Sequence, residues 1–227
     1  MFDYPKQAEL SRALPKNKIY EFARPSRAIR SRFVSQIADI VWKYKLSPET
    51  VNLPPRQGIE EIQVFVISLK TRELTAAALR PILLTIDKSI PSPIFFQIIF
   101  AGRVKFTAAW KRTGEPCPAA DGVRKAAPDL YFETPWQPAT LPLPPLPVAV
   151  DLAGLYDQML RRHMPLAPRA GESLQEHVWR AGQIRLKEAE CRRLDAQLRK
   201  ERQFNRKVEI NAVLRRSTAD LAQLRES

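Results

Sequence analysis

The chain has 227 residues, of which 44% are hydrophobic and 27% charged, and 37 Lys and Arg against 24 Asp and Glu give a formal net charge of +13. This hydrophobic fraction is ordinary for a globular protein, and the positive charge favours anionic partners such as nucleic acid or an acidic protein surface. Seven scattered glycines, two cysteines and two histidines exclude a glycine-rich phosphate loop, a cysteine-rich zinc site and a disulfide framework. We therefore expect no metal and no cofactor. Because no apolar run approaches about 20 residues and the first residues do not resemble a signal peptide, we expect a cytoplasmic protein without a membrane span.

The first predicted elements are a helix, a strand and a second helix. Ser26 is a suitable N-cap, and apolar residues then recur at three- and four-residue steps, which predicts a helix reaching about Tyr44. The run 61–69 is β-branched and aromatic and nearly apolar on both faces, which predicts a central strand. A helix is predicted over residues 74–88, with Pro81 in its first turn or at a kink.

A β-hairpin is predicted next. Residues 94–100 and 104–110 are typical of two strands joined by a two-residue turn. The stretch 113–129 contains three prolines and two glycines and predicts a loop, and residues 130–132 predict a short edge strand. The order of these elements predicts an α+β fold, in which a small mixed β-sheet carries packed helices.

Proline usage divides the rest of the chain. Six of the 20 prolines fall between residues 135 and 147, and they predict an extended strap that packs along a surface. After Pro168 there is no proline, and the composition predicts one helix from about Glu172 to Arg225, roughly 80 Å long. The predicted domains are an α+β globular domain (1–134), a proline-rich strap (135–150), a short helix (151–168) and a long basic coiled-coil-like helix (169–227).

Apolar residues follow this long helix at three- and four-residue steps, with changes of phase. No small core can cover a helix of that length, so we expect the apolar stripe to bind a partner protein or a second copy of the chain. The residues predicted to bind the partner are Leu194, Leu198, Phe204, Val208, Leu214 and Leu221.

Basic residues repeat every seven positions in two neighbouring rows on the same helix. One interpretation is that the rows are the solvated face of a coiled coil. The other is that they form a continuous strip that contacts the phosphates of DNA or RNA without reading bases. The candidate nucleic-acid-binding residues are Arg192, Arg199 and Arg206 in one row and Arg193, Lys200 and Lys207 in the other.

The sequence predicts no catalytic residues. A nuclease of the restriction-enzyme kind needs an acid-x-Lys pair on a central strand, but Gln63 stands where Glu61 would require a lysine. Lys70 lies roughly 30 Å from Glu61 along an extended strand, too far to share a metal-bound phosphate. The alternative left open is a divergent metal-dependent nuclease whose acids converge around a lysine only in the fold, drawn from Glu60, Glu61, Asp87 and Glu133.

Four segments carry a resemblance to a known family. They are Ile40–Thr50, Ile62–Lys70, Ile86–Phe96 and Lys200–Asn211. Together they resemble an uncharacterised bacterial family, domain of unknown function 4391. The resemblance implies genes that accompany helicases and DNA methyltransferases in phage-defence clusters, and it implies no catalytic residue. The resulting hypothesis is a non-catalytic accessory or scaffold subunit that docks onto a helicase, nuclease or methyltransferase through the long helix.

Overall fold

The computed structural model describes residues 2–71, 73–111 and 130–226. They fall into two compact units. The first contains the described residues up to 111 together with Tyr131–His163, and the second contains Leu130 and the residues from Met164 onward. The loop predicted over residues 113–129 lies outside the described residues. The α+β class predicted from the sequence is confirmed, since a mixed sheet with helices is followed by long C-terminal helices.

One mixed sheet organises the first unit. In the described part of the chain it has seven strands: β1 (Glu9–Ala13), β2 (Ile37–Leu46), β3 (Ile62–Leu69), β4 (Ile94–Phe100), β5 (Arg103–Ala109), β6 (Tyr131–Glu133) and β7 (Gln137–Pro138). The strands β1 to β6 follow one another across the sheet, and β7 pairs with β5. All pairs are antiparallel except β3 with β4.

The helices of the first unit are α1 (Lys16–Ala23), α2 (Arg27–Gln36), α3 (Pro48–Val51), α4 (Ala76–Ser89) and α5 (Leu152–Arg161). Because a parallel β3–β4 pair needs a crossover connection, α4 lies between these strands in the chain. Its residues Ile82 and Ile86 are fully buried in one core with Phe65 of β3 and Phe96 of β4. The predicted central strand, the crossover helix and the β4–β5 hairpin are therefore confirmed.

The helix predicted to reach Tyr44 is wrong in its second half. Ser26 does cap α2, since its hydroxyl accepts a hydrogen bond from the Ile29 N–H, but α2 ends at Gln36. The following ten residues form β2, which pairs with β1 on one side and β3 on the other. They include β-branched and aromatic residues such as Val41 and Trp42, which suit a pleated surface, so pairing within the sheet outweighs the helical spacing.

The proline-rich strap runs beside the sheet. Its residues 137–138 form β7 against β5, and the Asp3 N–H donates to the Pro144 carbonyl at 2.7 Å. Asp151 then starts α5, because its carboxylate accepts the Gly154 N–H at 2.7 Å. The prediction of an extended strap that packs along a surface is confirmed by these contacts.

The second unit is built from two helices, α6 (Leu174–Lys200) and α7 (Phe204–Arg225), which pack side by side as a hairpin. The prediction of one uninterrupted helix of roughly 80 Å is therefore wrong, although the region is helical throughout most of its length. A single helix would leave its apolar stripe in water, whereas the reversal lets Leu194 and Leu221 become buried. Among the described helices, none combines the length and the apolar character needed to cross a bilayer.

Candidate nucleic-acid interface

The predicted nucleic-acid-binding residues lie around the closed end of this hairpin. Four of the six lie in the last three turns of α6, two lie in the first turn of α7, and all six are exposed. The straight strip expected along one helix is wrong, because α6 ends at Lys200 and the chain reverses there. Each row is instead interrupted by the turn, with two of its residues on α6 and one on α7. We call residues 192–207 the basic tip.

Glu201 stabilises the turn between the two helices. Its backbone leaves the helical region, with φ −69° and ψ 137°. Its Oε1 accepts hydrogen bonds from the N–H groups of Gln203 at 3.0 Å and Arg202 at 2.8 Å. These two hydrogen bonds lower the pKa of the Glu201 carboxyl. The side chain thus pairs backbone donors that would otherwise need another partner at a helix break.

The basic tip has a strong excess of positive charge. Of its 16 residues, seven are Lys or Arg and two are Asp or Glu. Three of the arginines form ion pairs, Arg192 with Glu188 at 3.9 Å, Arg199 with Asp195 at 2.9 Å and Arg206 with Glu201 at 3.5 Å. Exposed ion pairs of this kind contribute little to stability, so a phosphate can replace the carboxylate at little cost.

The other four cations of the basic tip are exposed and have no ion-pair partner in the part of the chain that the structure describes. They are Arg193, Lys200, Arg202 and Lys207. Sequence reasoning missed Arg202, because Arg202 falls outside the seven-residue repeat of the two rows. Its position beside Glu201 and Gln203, a polar run between two apolar stripes, was the available signal. The unpaired cations therefore lie on both sides of the turn and, with Arg202, within it.

The six residues predicted to bind a partner divide into three groups. Leu194 and Leu221 are buried, so they are not free to dock another protein. Leu198 and Leu214 are half-buried. The last two are exposed and belong to α7: Phe204, with 77% of its surface accessible, and Val208, with 53%. Only these last two of the six are exposed, and Phe204 lies within the basic tip.

Ionic contacts at the open end of the hairpin fix one helix against the other. Lys187 of α6 binds Asp220 of α7 at 3.0 Å, and Arg225 of α7 binds Glu188 of α6 at 2.6 Å. The hydrogen bonds to Asp220 and Glu190 raise the pKa of Lys187. Arg169 donates to the carbonyl groups that end α7, the shortest of these hydrogen bonds being 2.7 Å to Glu226. The basic tip therefore lies at the far end of two helices that ion pairs and hydrogen bonds hold together.

The acids considered for a nuclease do not share a lysine. Three of them form separate ion pairs in the first unit: Glu61 with Lys45 at 2.8 Å, Asp87 with Lys111 at 3.1 Å and Glu133 with Lys105 at 2.9 Å. Glu60 is exposed. Burial alone would raise the pKa of Glu61, but hydrogen bonds from Lys45, Gln63 and Ser92 lower it. Glu61 is therefore a carboxylate already occupied by three protein donors.

Lys111 has a structural environment. Its Nζ contacts the Asp87 carboxylate and donates to the carbonyl groups of Asp87, Ile90 and Ser92. Burial lowers its pKa, while Asp87 opposes that shift. These contacts tie the end of α4 to the start of β4. Within residues 2–71, 73–111 and 130–226, no three His, Cys, Asp or Glu side chains lie together in a way that could hold a metal ion.

Comparison with known proteins gives one family match. The family model described as "Domain of unknown function (DUF4391)" matches residues 2–221. The match spans both the sheet-containing unit and nearly all of the helical hairpin, so the two units are parts of one family pattern. No curated protein and no solved structure matches the chain.

Proposed function

We propose that this chain, which belongs to the DUF4391 family, is a non-catalytic accessory subunit that binds the nucleic-acid backbone through the basic tip. The family description assigns no activity, so the proposal rests on the geometry of the hairpin. The hairpin consists of two helices joined by ion pairs and a turn stabilised by Glu201, with a cluster of exposed cations at the closed end.

The observation that supports the proposal is the set of four unpaired cations at the basic tip. Phosphates are the sequence-independent part of DNA and RNA, and Lys and Arg are the side chains that neutralise them. A surface cation with an acidic neighbour must exchange one partner for another, whereas an unpaired cation gains a partner outright. Both sides of the turn contribute such cations, so a strand that crosses the tip can be held by α6 and α7 together.

Salt dependence of binding tests this proposal. The full chain is titrated against a labelled oligonucleotide at several salt concentrations, and the slope of log K against log salt counts the phosphates neutralised, at about −0.9 per phosphate for a duplex and about −0.7 for a single strand. A variant in which the four unpaired cations are replaced by Gln should have a shallower slope and weaker binding to every sequence. The substituted residues are Arg193, Lys200, Arg202 and Lys207.

A matched control removes the same charge elsewhere. Lys6, Arg27, Arg32 and Lys88 are exposed and have no ion-pair partner among the residues described in the first unit. Replacing these four by Gln lowers the net charge equally but leaves the basic tip intact, so the slope should stay close to that of the wild type. Equal loss in both variants, or no loss in the tip variant, would contradict the proposal.

The setting that we propose is a cytoplasmic anti-phage assembly in which the chain docks onto a helicase, nuclease or methyltransferase. The sequence resemblance suggests this context. In the structure, exposed apolar side chains along α7 support a partner surface, namely Val208 and Val213. A tagged chain expressed from its native gene neighbourhood should co-purify with a protein of one of these three classes. The double variant Val208→Glu and Val213→Glu should lose it, and retention of the partner would contradict this docking surface.

A further inference from the structure

Phe204 is an exposed aromatic side chain with unpaired cations on both sides of it along the chain. It is the first residue of α7, and 77% of its surface is accessible. Single exposed apolar residues are common on proteins and need no explanation by themselves. Phe204 differs because it is a large planar ring placed within the basic tip, where most neighbours in sequence are polar or cationic. An apolar ring at that place does not serve the core of the hairpin.

The cations flank the ring on both sides along the chain. Arg202 precedes it in the turn, Lys200 ends α6 just before the turn, and Lys207 follows three residues later on α7. Residues three apart on a helix lie on the same face, so Phe204 and Lys207 share one side of α7. Lys200, Arg202 and Lys207 form no ion pair in the described residues, although Lys207 lies near enough to Glu201 to help lower the pKa of that carboxyl. The combination is an exposed aromatic ring between exposed cations.

We infer that the basic tip binds single-stranded nucleic acid, with one base stacked on the Phe204 ring and the adjoining phosphates held by Lys200, Arg202 and Lys207. This inference rests on the proposed function and assigns its substrate class. Non-specific single-strand binding combines a cationic track with aromatic side chains on which bases stack, and every base offers a face for such stacking. In a duplex those faces are already stacked on neighbouring pairs, so Phe204 cannot reach one without unstacking the helix.

Phosphate contacts and base stacking would contribute to binding affinity in ways that can be measured independently. Phosphate contacts set the salt dependence and act on single and double strands alike. Stacking on Phe204 adds affinity for single strands only and changes the salt slope little, because it releases no counterions. Loss of one base–aromatic stack corresponds to roughly a 5- to 150-fold weaker affinity.

The test uses the full chain and two labelled probes, an oligo(dT) strand of about 12 nucleotides and a duplex of the same length. Phe204→Ala should weaken binding of the single strand by roughly 5- to 150-fold and leave duplex binding and the salt slope unchanged. Phe204→Trp should restore the single-strand affinity, since indole also stacks. Phe22→Ala is the matched control, because Phe22 is a phenylalanine of the first unit with 74% of its surface accessible, and it should change either affinity by less than about twofold.

Other outcomes overturn the inference in distinguishable ways. If Phe204→Ala weakens neither probe, or weakens both equally, the ring does not stack on an unpaired base. If Phe204→Leu binds the single strand as tightly as the wild type, the contact is apolar rather than aromatic. If the four-Gln variant binds both probes like the wild type, the proposed function itself fails. If that variant weakens both probes while Phe204→Ala weakens neither, phosphate binding stands and only the stacking inference is lost.

Discussion

The most buried ion pair of the second unit joins Arg180 of α6 to Glu172 in the segment before that helix. Two hydrogen bonds of 2.6 and 2.7 Å connect the guanidinium to the carboxylate, and both side chains are nearly inaccessible. The Arg180 hydrogen bonds, opposed in part by burial, lower the pKa of Glu172 to about 2. Because this pKa is lower in the folded protein than in the unfolded chain, the carboxylate contributes stability that is lost as the pH falls.

We predict an acid-dependent loss of stability that depends on Glu172. The contribution is fully present above its ordinary pKa of 4.5 and disappears as the pH falls through about 2. Its size is on the order of 1–3 kcal/mol, from 1.36 kcal/mol for each unit of pKa difference, reduced by solvent screening of the carboxylate. Free energies of unfolding measured between these pH values should fall more steeply for the wild type than for Glu172→Gln. The same pH dependence in both proteins would contradict this assignment.

Glu61 provides a second prediction at the scale of single residues. Its carboxylate is held by Lys45, Gln63 and Ser92, and we therefore expect a structural role at the start of β3. The purified protein should leave DNA intact in the presence of Mg²⁺ or Mn²⁺, as judged by gel electrophoresis. Cleavage that disappears in Glu61→Gln would favour the nuclease alternative over the accessory role.

Among the elements of the fold, the helical hairpin depends on a small apolar contact. Leu194 of α6 is buried although most of this helix is polar. We predict that Leu194→Ala lowers the free energy of unfolding by about 2 kcal/mol, the low end for a buried leucine. Val208→Ala, which truncates an exposed residue of α7, should change it by less than about 0.5 kcal/mol. Equal effects measured by chemical denaturation would contradict the assignment of Leu194 to the interior.

Local sequence patterns predicted an element correctly where its hydrophobic spacing and its residue propensities favour the same secondary structure. The run 62–69 is nearly apolar on both faces and is an interior strand, and the predicted helix forms as α4, although Pro81 lies in its second turn and not in its first. The pattern failed at β2, where helical spacing and β-branched residues compete and only pairing with β1 and β3 decides. Spacing along one segment cannot report such long-range pairing.

The sequence predicted most of the cationic residues of the candidate site but not the turn that brings them to the end of a hairpin. Six of the seven cations of the basic tip were identified from their seven-residue repeat, yet the repeat continues through the turn at Glu201 without interruption. Three residues without helical geometry convert a straight row into a cluster, and no glycine or proline marks the place. The role of Phe204 changed for the same reason, because a residue expected within an apolar stripe begins a new helix at the turn.

For the molecule as a whole, the first unit has a hydrophobic core that does not depend on the helical hairpin. The main core of the first unit, which includes Phe33, Phe65, Ile82 and Phe96, draws all its buried residues from the chain before residue 101. We predict that a chain truncated after Pro168 stays folded, with the circular dichroism of a mixed α and β protein, and loses nucleic-acid binding. An insoluble or molten truncated chain would show that the helical hairpin is needed for the first unit to fold.

The central claim is that nucleic acid contacts the basic tip, and ultraviolet crosslinking tests it most directly. The full chain is irradiated with oligo(dT), digested with trypsin, and searched by mass spectrometry for peptides that carry a nucleotide. If nucleic acid contacts the basic tip, we expect crosslinked peptides that contain residues 203–206, with Phe204 as the attachment point, and we expect these peptides to be lost in Phe204→Ala. Crosslinks confined to the first unit, with none in residues 192–207, would contradict it.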